Sequence, residues 1–170
     1  GASLNVPTFD AAMGVIKQKP LVLNGKAISW DKYIGDYTPN QLESVKGIIT
    51  AGWTDGLTTT QISRKIVGTS TIKGVIKTSY TDAQRMVKDL ASHQSSIVKS
   101  DFAKKNDDII IGEKVVVTLD SKTSPICQDL GSEDGGGKEF YYADSGRNFS
   151  RPPFHYNCRS TMRYILSPEY

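Results

Sequence analysis

Apolar residues along this chain keep two different rhythms, and the change between them falls near residue 110. Before it they return every three or four positions, the spacing of one helix face. After it they run in short β-branched or aromatic clusters broken by turn residues. Thr8 ahead of Phe9, Ala12, Met13 and Ile16 predicts a capped amphipathic helix that Pro20 stops. Leu21-Val22-Leu23 and Lys26-Ala27-Ile28 flank Asn24-Gly25, two residues that tolerate positive φ, so a tight hairpin is expected. Thr38-Pro39 opens a second helix carrying Leu42, Val45, Ile49 and Trp53, with Gly56 at its stop. Thr58-Thr59-Thr60 caps a short helix with Ile62 and Ile66, ended by Gly68. A longer helical pattern runs from Ile72 through Val75, Ile76, Tyr80, Ala83, Val87, Leu90 and Ile97, weakened at Gly74 and Thr78-Ser79. These stripes read as core. His93 lies near the apolar edge of the last one and reads as a surface or half-buried residue, not a ligand.

Beyond the change, Lys114 to Asp120 is a β-branched run ending in an acid, the pattern of a buried strand. Asp120 faces a Thr123-Ser124-Pro125 turn, where a short carboxylate accepts from nearby amides and hydroxyls. A glycine run at 135–137, a short strand at Phe140-Tyr141-Tyr142 and a final strand at Thr161–Leu166 follow. The expected fold is α+β, a helical N-terminal two-thirds packed on a small antiparallel sheet from the C-terminal third. Three regions are expected: an N-terminal extension at 1–37, a helical region at 38–110 and a β-rich module at 111–170.

Composition narrows the classes. With 170 residues, 38% hydrophobic and 23% charged, the chain supports a real core and is neither a disordered tail nor a coiled coil. No apolar run approaches the ~20 residues of a membrane helix, and the Gly-Ala-Ser-Leu start, without Met or a basic n-region, reads as a processed terminus or expression scar. Two cysteines exclude a disulfide scaffold. A net charge of +3 is too small to indicate nucleic-acid binding. Phe140-Tyr141-Tyr142 with Arg147 and Arg151 has the makings of a stacking platform, but Glu133, Asp134, Glu139 and Asp144 crowd it with acid. No phosphate-binding glycine loop, zinc-protease motif or nucleophile elbow is present.

The information is concentrated in Cys127, His155 and Cys158. One nitrogen and two sulfurs are a proper first shell for Zn²⁺, with Asp120, Asp129 or water as a fourth ligand. The two cysteines are equally able to pair as a disulfide in an oxidising setting. Cys127 beside His155 would also suit a thiol nucleophile with its base. The fourth reading keeps both cysteines reduced and packed, with His155, Asp120 and Arg159 in a hydrogen-bonded clasp behind the stiff Pro152-Pro153 entry. On that reading Asp120, Thr123, Ser124, Cys127, Pro153, His155, Cys158 and Arg159 are all structural. Either no cofactor or a zinc ion is expected.

Asp120 with Thr123-Ser124-x-x-Cys127, followed by Pro152-Pro153-x-His155-x-x-Cys158-Arg159-Ser160, resembles the phage Mu F-like head-morphogenesis family. The glycine-punctuated stretch 48–67 is similar to that family's helix pair. Many relatives read Cys-Arg-Cys where this chain reads Cys158-Arg159-Ser160. The resemblance spans roughly residues 40–166 and implies a minor head protein acting in capsid assembly. Portal, scaffold or coat proteins would be its partners, with no membrane and no specific nucleic acid. It would reside in the phage head, and in host cytoplasm during assembly or after ejection. Because such modules are also joined to toxin domains, an ejected effector enzyme centred on Cys127 and His155 is the alternative, and a host-defence inhibitor is another.

Overall fold

The computed structural model describes residues 4–6, 19–131 and 137–169. The helix expected over Thr8–Ile16 and the glycines at 135 and 136 lie outside them. The hairpin forms as the turn chemistry dictates: β1 (Leu21–Leu23) pairs antiparallel with β2 (Lys26–Ile28). Asn24 and Gly25 between them take φ of 50° and 73°. A short α1 (Trp30–Ile34) follows, started by Ser29. Helix α2 (Pro39–Thr54) begins with a capping box in which Thr38 and Gln41 satisfy each other's backbone amides. Helix α3 (Thr59–Val67) repeats the device with Thr58 and Gln61. The two helices approach closely at Gly52, where an added Cβ would lie 2.6 Å from Ile62.

Helix α4 (Tyr80–Lys105), capped by Ser79, starts eight residues after the pattern from Ile72 suggests. Residues 69–76 fold back across the end of α3 instead. Thr69 N donates to Ile72 O, and Val75 N donates to Ile66 O at 2.8 Å. That backbone is therefore bonded elsewhere, and Ile72 is left 67% exposed. His93 is more enclosed than its sequence position suggests: it is buried, and its Nε2 donates to Lys19 O at 3.0 Å.

The C-terminal third holds a three-stranded antiparallel sheet in the order β4–β3–β5, which makes the fold α+β. Strand β3 (Ile110–Val116) pairs with β4 (Glu139–Tyr141) on one side and β5 (Thr161–Leu166) on the other. The expected strand at 114–120 is thus displaced toward the N-terminus, because its partners end at Val116 and the chain then turns. Helix α5 (Pro125–Gly131) follows that turn, and a single-turn α6 (Tyr142–Ser145) follows β4. The helical part packs on the sheet through α4. Lys99 Nζ donates to Thr161 Oγ1 and Met162 O, Tyr164 donates back to Lys99 O, and Ser96 Oγ donates to Pro152 O.

Among the described residues two apolar clusters result. The larger gathers Leu21, Leu23, Val45, Ile49, Ile66, Val87 and Leu90 with seven other buried residues from the hairpin and the helices. The smaller has five buried members, Val115, Cys127, Phe154, Cys158 and Met162. Both cysteines of the chain sit in it.

Candidate functional site

The turn after β3 is tied by its own short side chains. Thr123 Oγ1 donates to Thr118 O at 2.7 Å and accepts from Asp120 N at 2.8 Å. Asp120 Oδ1 accepts from Lys122 N, and both carboxylate oxygens take a bidentate pair from Arg159 at 2.6 and 2.7 Å. That guanidinium, with the Lys122 amide, holds the Asp120 carboxyl well below the usual carboxylate range. The pair is solvent-exposed, although Asp120 ends the run whose pattern is that of a buried strand. Ser124 starts α5, its carbonyl and hydroxyl both accepting from Cys127 N. The first turn of α5 thereby delivers the Cys127 thiol into the small cluster.

His155 and Cys158 arrive on a separate loop. Pro152, Pro153 and Phe154 are buried, and Phe154 O accepts from Asn24 N of the hairpin at 2.8 Å. A turn then closes with Cys158 N donating to His155 O, Asn157 taking the left-handed φ of 57° that its side chain type tolerates. The helical part holds this turn from behind. Asp89 on α4, fully buried, accepts from Asn157 N at 2.8 Å and from the Tyr33 hydroxyl at 2.6 Å. Tyr33 also stacks on Tyr156. Burial pushes the Asp89 carboxyl up, an effect these two donors oppose.

The two segments bring Cys127, His155 and Cys158 together. Cys127 Sγ lies 3.1 Å from His155 Nε2 and 3.9 Å from Cys158 Sγ, and the three ligand atoms all fall within 4.8 Å of one another. His155 Nδ1 donates to Tyr156 O at 2.8 Å, so Nε2 is the nitrogen that presents a lone pair to the sulfurs. His155 therefore stands apart from the Asp120–Arg159 pair, contrary to the clasp expected among those three. Neither Asp120 nor Asp129 belongs to the metal-competent group. The fourth polar neighbour is Ser160, whose Oγ lies 3.2 Å from Cys127 Sγ. Burial pushes the Cys158 thiol up.

Chemically the arrangement can hold a metal ion. Tetrahedral zinc with its usual bond lengths separates two sulfurs by roughly 3.8 Å and a sulfur from a nitrogen by roughly 3.6 Å. The observed separations fit after small side-chain movements. A thiol nucleophile fits less well. Cys127 is 3% exposed, and the cavity beside it measures ≈ 20 Å³, about the room a single water needs.

No family model, curated protein or solved structure matches this chain.

Sequence reasoning missed Asp89 and Tyr33, and it named Ser160 in the motif without placing it beside Cys127. Asp89 left one signal, a carboxylate on the same helical stripe as Met86, Leu90 and His93. It also missed the ion pair of the sheet: fully buried Glu113 on β3 accepts from Arg151 Nε and Nη2 and from the Tyr142 hydroxyl. Arg151 lies over the Phe149 ring, which stacks on Phe140.

Proposed function

We propose that residues 111–170 form a metal-clasped structural module of a phage minor head protein, working in capsid assembly through contacts with portal, scaffold or coat proteins. The observation that carries the metal is the convergence of three soft ligands from segments 28 and 31 residues apart in sequence. Zinc is the ion this donor set suits, since two thiolates and an imidazole favour it over oxygen-seeking cations. The phage assignment rests on the ordered motif from Asp120 to Ser160. Its chemistry agrees with a part that must hold its shape without turnover.

Elemental analysis with thiol titration of the reduced, purified protein tests the metal. One zinc per chain, with both thiols unreactive until a chelator is added, is expected. Two freely titrating thiols and no metal would remove it. Proteomics of the source particles tests the assignment to the head, where copies of this chain are expected in every mature virion. The second reading, an effector enzyme, draws on the 3.1 Å approach of Cys127 to His155. The closed surroundings of that sulfur argue against it.

A further inference from the structure

We propose that the metal held by Cys127, His155 and Cys158 keeps its fourth coordination position open, filled at rest by water or hydroxide and exchangeable for a small monodentate anion. This rests on the metal reading above. Closed structural zinc sites have four protein ligands, whereas sites with three keep a position for solvent or substrate. Among the described residues the metal-competent group has three members and no carboxylate. Asp120, the nearest acid in the turn, is committed to Arg159 through both oxygens. Ser160 completes the ring of neighbours, but a neutral hydroxyl is a poor substitute for a thiolate on a soft ion.

The ≈ 20 Å³ cavity gives this position a location. Cys127, His155 and Ser160 line its inner side, and the exposed residues Lys122 and Arg159 line its outer side. Cys158 does not line it and packs in the small core instead. The volume admits one water or one end of a slender ion and excludes a bulky ligand. Charge permits an anion there. Two thiolates and a neutral imidazole leave a Zn²⁺ centre formally uncharged, and the exposed Lys122 is among the residues that line the cavity. A metal-bound water in that place would be acidified as it is at other three-ligand zinc centres, making the module a Lewis acid as well as a clasp.

The test is a Co²⁺ titration of the reduced, metal-free full chain, followed by azide. Co²⁺ is expected to give the intense visible bands of tetrahedral coordination with a thiolate charge-transfer band, at one ion per chain. Azide is expected to shift those bands saturably, one azide per metal. Ser160→Cys supplies a fourth thiolate; it is expected to bind Co²⁺ roughly tenfold more tightly or better and to lose the azide response. Ser160→Ala, which leaves the position to water, is expected to keep the response and covers the case in which the cysteine variant does not fold. Tetrahedral bands indifferent to azide in wild type and in Ser160→Ala would overturn the open position and leave the metal reading standing. Failure of wild type to give tetrahedral bands would overturn both.

Discussion

The two apolar clusters of this protein solve the same problem with different means. The helical cluster buries fourteen residues, with Leu21, Val45, Ile49, Ile66 and Leu90 entirely out of water, and needs no special chemistry. The sheet cluster buries five, two of which are cysteines. Five side chains do not stabilise a three-stranded sheet well, because burial at about 25 cal/mol per Å² must offset the entropy of every residue ordered. Small folds of this kind add bonds of known geometry: metals, disulfides or buried ion pairs. Here the sheet carries both a Cys/His cluster and the buried Glu113–Arg151 pair. The lesson is that specific chemistry accumulates where apolar area runs short.

That contrast can be broken most forcefully at the ion pair. Arg151→Ala leaves Glu113 buried without its cation and is expected to cost about 3–5 kcal/mol, with the loss confined to the sheet region in hydrogen exchange. An unchanged melting temperature would show that the sheet does not depend on the pair. Ile49→Ala probes the other region and is expected to cost about 2–5 kcal/mol, by the same amount with and without a chelator. A cost that depends on the chelator would mean that the two clusters are one.

Tyr33→Phe tests the connection between them. Losing the hydroxyl bonded to Asp89 is expected to cost about 1.5–3 kcal/mol and to weaken Zn²⁺ binding by about tenfold, since Asp89 holds the loop that carries His155 and Cys158. Equal Zn²⁺ affinity in both proteins would reduce Tyr33 to ordinary packing. The smallest effect concerns His93, whose pKa burial lowers from its ordinary 6.5. The unfolded chain then takes up a proton that the folded chain refuses. Stability present above about pH 6.5 is lost as pH falls toward the lower folded value, at no more than ~1.4 kcal/mol per pH unit. Urea unfolding from pH 7.5 to 5 is expected to show this slope, and His93→Gln to flatten it.

Local chemistry was readable in advance, and tertiary chemistry was not. Asn24-Gly25, the threonines at 38 and 58 and the stop at Gly68 act on their immediate neighbours, and each does what its residue type predicts. The start of α4 could not be read, because residues 69–76 are claimed by the end of α3, a competitor invisible to periodicity. The ends of β3 depend on where β4 and β5 run out. At the site, Cys127, His155 and Cys158 stood out by type. Asp89, bonded to Tyr33, acts through Asn157, 68 residues downstream, and the place of Ser160 beside Cys127 is a matter of tertiary structure.

We propose that a metal clasp at Cys127, His155 and Cys158 adds to apolar burial and the Glu113–Arg151 pair in holding the C-terminal sheet. Hydrogen exchange on the zinc-loaded, reduced protein, before and after a chelator, tests it most directly. The account predicts that chelation exposes the amides of Cys127–Gly131 and of residues 155–166 while those around Ile49 and Leu90 stay protected. Unchanged protection at Cys127, Cys158 and Met162 after the metal is gone would contradict it.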